Sequence, residues 1–214
     1  MGEMGLRNLT RENVQVTHKG ANVRILTTWK TGSGISIKHS QNVDCVEDGI
    51  RITESVTLPR QLDDVARVGI NFELSGELNQ YVYFGSGPFE TMPDRSIGKI
   101  HRWSSSVAEQ YVPYIKPQEN GGHVSVRWFS LSNRANHGIY IQLDKPRMVT
   151  VTPYRSTDLA DTTHNVFLKE SGNTVVTIDA IHRGVGTASC GPDTLEKYRI
   201  KPGTYKWSWT ALSF

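Results

Sequence analysis

Side chains whose types could do chemistry fall mainly in two stretches of this sequence, 85–123 and 154–193. In the first, Glu90, Asp94 and Arg95 follow Gly85-Ser-Gly-Pro88, and Glu119 and Asn120 precede Gly121-Gly122. These residues could move protons or bind charge. Yet a carboxylate in a Gly-Pro loop commonly accepts backbone N–H groups, and an arginine paired with it locks the loop. Asp94 and Arg95 are therefore expected to pair as a structural brace, with Glu90, Glu119 and Asn120 holding their turns. His101, His123, His137, His164 and His182 show no HxH or HExxH spacing, so separate, satisfied imidazoles are expected, not a metal site. His164 and His182 are the two to inspect first. Cys45 and Cys190 form no CxxC pair and read as reduced thiols. The loop from Gly184 to Pro192 is the best candidate binding site. Its small residues let backbone approach a ligand or another domain closely. Trp207 and Trp209 share one face of a strand and read as core or as a face between domains. Trp29, Trp103 and Trp128 read the same way.

Strands must position these groups. Val23-Ile25, Ile35-Ile37, Ile50-Ile52, Val56-Leu58, Val68-Ile70-Phe72-Leu74, Tyr81–Phe84, Val124-Val126, Ile139-Ile141-Leu143, Val149-Val151, Val175–Ala180 and Tyr205-Trp207-Trp209 are apolar runs, most of them alternating. Period-two alternation marks half-buried strands. Glycine-rich turns separate them, and Asp48-Gly49 is a hairpin signal. About ten short strands argue for a sandwich. Helix is expected only over Ser156 to His164, capped by Ser156, and weakly around Ser104 to Gln110. The segment 85–122 lacks alternation and reads as a long functional loop.

Composition narrows the function classes. The chain has 214 residues, 37% hydrophobic and 21% charged, with a net charge of +3. So small and scattered an excess argues against a nucleic-acid binder. No apolar stretch reaches the length of a membrane span, and the N-terminus carries no signal-peptide core. A cytoplasmic location is expected. Residues 1–10 read as a tag or disordered lead, and 11–214 as one β-sandwich domain.

Four segments carry a resemblance. Tyr83-Phe-Gly-Ser-Gly-Pro-Phe-Glu-Thr-Met-Pro-Asp-Arg95 resembles the G-x-G-P-x-E-x-x-P-D-R signature of the small chain of family-two β-galactosidases. Tyr111–Gly121 resembles that family's Y-x-x-P-x-E-N-G segment. Tyr154–His164 resembles its S-x-x-x-L-x-x-T-x-H turn, and Ile178–Gly186 with Ser189–Pro192 resembles its D-x-x-H-x-G-x-G loop. The order and spacing match, from about Arg11 to Phe214.

The resemblance implies an all-β antiparallel supersandwich like galactose-mutarotase domains, truncated before its opening strands. It implies a C-terminal domain of a retaining enzyme that cleaves terminal β-galactosides such as lactose. Such an enzyme needs two carboxyl groups about 5–5.5 Å apart. In that family both lie on a central barrel, and no part of this chain alternates strands and helices as a barrel does. The chain is thus expected to hold no catalytic residue and to be inactive alone. Its expected role is to buttress the barrel and lend the loop at His182, Gly184, Gly186, Cys190 and Gly191 to the aglycone side. A cysteine stands near the place where relatives often carry a tryptophan. The resemblance implies no cofactor in this chain, Mg and Na in the full enzyme, and a sodium turn at Lys116, Pro117, Leu159 and Thr162. Expected partners are the catalytic barrel domain or large chain and a galactoside, with self-association through open strand edges. Alternatives are a separate small subunit, a mutarotase-like aldose epimerase and a carbohydrate-binding module.

Overall fold

A computed structural model describes residues 4–186 and 191–214. Eleven strands make up the fold: β1 (Thr10–Lys19), β2 (Asn22–Lys30), β3 (Ser36–Val46), β4 (Gly49–Leu58), β5 (Arg67–Ser75), β6 (Gln80–Gly87), β7 (Lys99–Ser106), β8 (Gly122–Ser132), β9 (Gly138–Thr152), β10 (Asn173–His182) and β11 (Gly203–Ser213). Every pairing between them is antiparallel. The all-β antiparallel class expected from alternation is what forms.

The strand order is β1-β2-β3-β4-β11-β9-β8-β6-β7, and β10 joins β9 to β5. The 15-residue β9 makes this branching possible. Its first half pairs with β11 and its second half with β10. Irregular register in β8 near Val126, with Ser125 at φ 59, lets that strand follow β9 past the branch. The alternating runs at Ile139–Leu143 and Val149–Val151 thus belong to one strand.

The branch folds the β5–β10 pair over the β4–β11 pair. Phe72 of β5 stacks on Trp209 of β11, with ring centroids 5.3 Å apart and planes 5° from parallel. Trp207 and Trp209 are both buried core residues. Tyr81, Phe129, Leu131 and Ile141 fill the core under β6, β8 and β9. Glu54 lies in the same inner face with no exposed surface. His39 and Gln41 hydrogen-bond its two oxygens, each at 2.7 Å, which makes a buried carboxylate tolerable.

The second layer ends at β5, which pairs only with β10 among the described strands. An open cleft of about 650 Å³ lies beside it, lined by Leu6, Trp29, Ile37, Val56, Leu58 and Ile70 among others. Farther out, β1 is exposed along its whole length.

Four sequence expectations need correction. Residues 4–9 are not a detached lead: Met4 and Leu6 pack against the core, and Gly5 O accepts from Gly32 N–H at 2.9 Å. Among the described residues the one α-helix, α1, covers only Ser156–Asp161, and its N-cap is Arg155 without a side-chain bond. Instead of a weak helix, Ser104–Ser106 ends β7, and a 3-10 turn follows at Ala108–Gln110. The 85–122 segment is therefore not all loop. No helix among the described residues is long and apolar enough to cross a membrane.

Candidate functional site

Met92 and Arg95 exchange two backbone hydrogen bonds, N–H to O at 3.0 and 2.9 Å, which close the turn Met92-Pro93-Asp94-Arg95. The turn is docked on β8: Thr91 N–H donates to Gly122 O at 2.7 Å, and Val124 N–H donates to the Thr91 hydroxyl at 2.9 Å. Beneath it lies Glu90, whose side chain is 9% exposed. Its carboxylate takes short hydrogen bonds from Arg95 and the Tyr114 hydroxyl, and a third from Gly121 N–H at 3.0 Å. Arg95 thus pairs with Glu90 and not with Asp94. Neighbouring side chains at the end of a tight turn point apart. Arg95 folds back under the loop, and Asp94 projects from its tip.

Asp94 reaches the second loop. Its Oδ2 accepts from Gly186 N–H at 2.7 Å. Gly184 and Gly186 both have left-handed backbone, φ 81 and φ 60, where side chains other than glycine are strained. A Cβ on Gly184 would also collide with the Asp94 carboxylate. Two residues upstream, His182 Nδ1 accepts from Gly184 N–H at 2.9 Å. That bond requires an unprotonated Nδ1. Burial, then the charges of Arg67 and Arg183, push the His182 pKa down to about 3. On the far side of the loop, Asp193 accepts from Arg183 at 2.8 Å and from Thr194 N–H at 2.7 Å. Arg183 also pairs with Asp64 at 3.2 Å. The loop is therefore pinned at both necks. Gly191 is exposed, and Cys190 lies outside the described residues.

Below the loop sits a buried charge cluster that spacing did not reveal. Asp179 is fully buried, and Arg67 bonds its Oδ2 at 2.8 Å and Glu119 at 3.1 Å. Burial lifts the Asp179 carboxyl to about 6, against the pull of Arg67. Glu119 therefore serves Arg67, while Asn120 braces its own turn by accepting Val112 N–H at 3.1 Å and donating to Gln118 O at 2.8 Å. Strand pairing of β5 with β10 makes the cluster, placing Arg67 opposite His182. Those partners are over a hundred residues apart, so no local signal could find them.

His123 forms another enclosed knot. Its Nδ1 lies 3.1 Å from the Tyr83 hydroxyl and 3.0 Å from Ser86 O, and its Nε2 lies 2.5 Å from Gln110 Oε1. Burial lowers its pKa to about 4. Among the described residues, the partners of His164 are the local Thr163 and Phe167, not the loop. His101 bonds Arg102 O and lies beside Trp103, and His137 is exposed at a hairpin. Trp103 donates to Gly85 O at 3.1 Å. Trp128 lies between Phe84 and Tyr140, and Trp29 lines the open cleft.

The carboxylates and imidazoles at the two loops are engaged with the chain's own groups. Among the described residues, this arrangement ties the two loops to each other and to the sheet. An open depression of about 350 Å³ adjoins it, lined by Pro93, Ser96, Arg147, Met148, Asp179 and His182 among others. Among the described residues, no group of three or more His, Cys, Asp or Glu side chains could hold a metal. Ile115, just before Lys116-Pro117, accepts from the N–H of Asn165, three residues after Thr162, at 2.9 Å. Thr162 gives its hydroxyl to Asp158 O at 2.6 Å.

Comparison with known proteins bears on this architecture. A β-galactosidase of Actinobacillus pleuropneumoniae is 28% identical over 149 residues, covering 69% of this chain and 14% of that protein. The β-galactosidase BgaC of Bifidobacterium adolescentis is 31% identical over 128 residues, covering 58% of this chain and 12% of that protein. The chain thus spans only about a seventh of the length of these relatives. A solved galactose mutarotase-like protein from Lactobacillus casei superposes with a TM-score of 0.46 at 9% identity, covering 94% of this chain and 73% of that one. The family model described as the β-galactosidase small chain matches residues 3–211, so the chain belongs to the β-galactosidase small-chain family.

Proposed function

We propose that this chain is the non-catalytic small-chain part of a retaining β-galactosidase that cleaves terminal β-galactosides such as lactose. It buttresses a separately folded catalytic barrel and lends its Gly184–Pro192 loop to the aglycone side of that active site. The observation that carries this reading is the double pinning of the loop by Asp94 and His182 at its entry and by Arg183 with Asp193 at its exit. So much fixed structure behind a glycine-rich loop suits a surface that must hold its shape against a partner. The proposal includes a sodium turn built from carbonyls at Lys116, Pro117, Leu159 and Thr162. Oxygen donors fit a hard cation, and the Asn165 N–H bond to Ile115 O ties the chain beside one turn to the chain beside the other. The Thr162 hydroxyl, already given to Asp158 O, is left out of that donor set.

The decisive experiment compares the purified chain with the chain assembled on its catalytic partner. The chain alone is expected to leave nitrophenyl galactoside uncleaved, and assembly should restore turnover of that substrate and of lactose. Hydrolysis by the chain alone would overturn the proposal. An epimerase is disfavoured because two imidazoles it could use, His123 and His182, are buried and engaged with the chain's own groups. A galactose anomer-interconversion assay is expected to be negative.

A further inference from the structure

We infer that Asp94 is the positioning residue for the Gly184–Gly186 segment, so that the Met92–Arg95 turn and this segment act as one unit. This rests on the proposed role of that loop and adds to it the group that sets its position.

Three observations converge on Asp94. First, its support is fixed before the second loop is considered. The turn is closed by the Met92–Arg95 backbone pair, bonded to β8 through Thr91, and underpinned by Glu90. Second, Asp94 joins the two loops by a hydrogen bond from Gly186 N–H to its ionisable carboxylate, a stronger type than a neutral one. Third, the fit is steric as well as polar. Gly184 leaves room for the carboxylate that any Cβ would occupy, and its backbone is left-handed besides. Asp94 Oδ1 is buried and has no hydrogen-bond partner among the described residues. The carboxylate is thus wedged against Gly184 by one oxygen and bonded to Gly186 by the other.

His182 holds the same segment from the β10 side, two amides earlier, at Gly184 N–H. Its imidazole sits at the end of a core strand and cannot place the loop relative to the Met92–Arg95 turn. Among the described residues, Asp94 alone spans that gap by a side-chain hydrogen bond. A brace internal to its own turn would leave the second loop unchanged when removed. The positioning role predicts the reverse.

The test is amide hydrogen exchange on the chain, in the parent, Asp94→Ala and Asp94→Asn. Asp94→Ala should speed exchange at Gly186 by roughly tenfold or more, the scale of one lost charge-assisted hydrogen bond. Amides of β8 and β9 should be unchanged. Asp94→Asn keeps an acceptor and should recover most of the protection. Unchanged exchange at Gly186 in Asp94→Ala, or equal acceleration throughout the sheet, would overturn the inference. Gly184→Ala supplies a second handle. It should loosen the loop more in the parent than in the Asp94→Ala background, where the carboxylate no longer collides. Additive effects would count against the wedge. The assembled enzyme then separates this inference from the reading it rests on. If Asp94→Ala frees Gly186 and also raises KM for lactose while sparing kcat, both stand. If Gly186 is freed and KM does not move, the positioning role stands and the aglycone role fails.

Discussion

Burial makes His123 and His182 neutral, and this has a signed consequence for acid stability. Their pKa values fall to about 4 and about 3, below the roughly 6.5 of an exposed imidazole. On acidification the unfolded chain therefore takes up protons that the folded chain refuses. Their contribution is complete above about pH 6.5 and is lost as pH falls toward the folded values. By pH 4.5 each imidazole is expected to withdraw about 2–3 kcal/mol. Urea unfolding at pH 7 and pH 4.5 should show this loss, and His123→Gln should lessen it. An unaltered pH dependence in that variant would contradict the assignment. Glu90 is the other residue with a large expected effect. Glu90→Ala strips partners from Arg95, Tyr114 and Gly121 and is expected to cost about 2–4 kcal/mol in chemical denaturation. Exposed Glu47, changed to alanine in parallel, should stay within about 0.5 kcal/mol of the parent.

At the scale of elements, β5 is the strand to watch. Among the described strands its other edge is unpaired, beside a cleft lined with aliphatic and aromatic side chains. Natural sheets guard such edges with charge or cover. We predict that the isolated chain self-associates here and that Ile70→Lys, which puts a charge in the cleft, shifts it to monomer. Solution scattering reads both states, and a monomeric mass for the parent would defeat the idea. The stacking of Phe72 on Trp209 joins the two layers, so Trp209→Ala is expected to cost about 3–5 kcal/mol. Elements also mark where sequence patterns lose their force. β1 was passed over although Val14 and Val16 alternate as a strand's residues do; the strand is exposed throughout. β7 was hidden because Lys99-Ile-His-Arg-Trp-Ser-Ser-Ser106 is a mostly exposed edge. Strands that face the core, such as β5 and β11, were legible from alternation alone.

For the molecule as a whole, the same rule explains how far the site could be read. The glycines of both loops were visible because tight backbone demands them. The partner of each charge was not, since Arg67 meets Asp179 and Asp94 meets Gly186 only through strand pairing and loop packing. The family match agrees with what the motifs implied at the level of the small chain. The branching at β9 has a last consequence. One strand supplies ladder partners to both layers, so peeling either layer away strips backbone bonds from the strand on which the other depends. Neither half can melt first and leave the other intact. Loss of order should be all-or-none, with near-UV and far-UV circular dichroism traces overlaying through a single thermal transition.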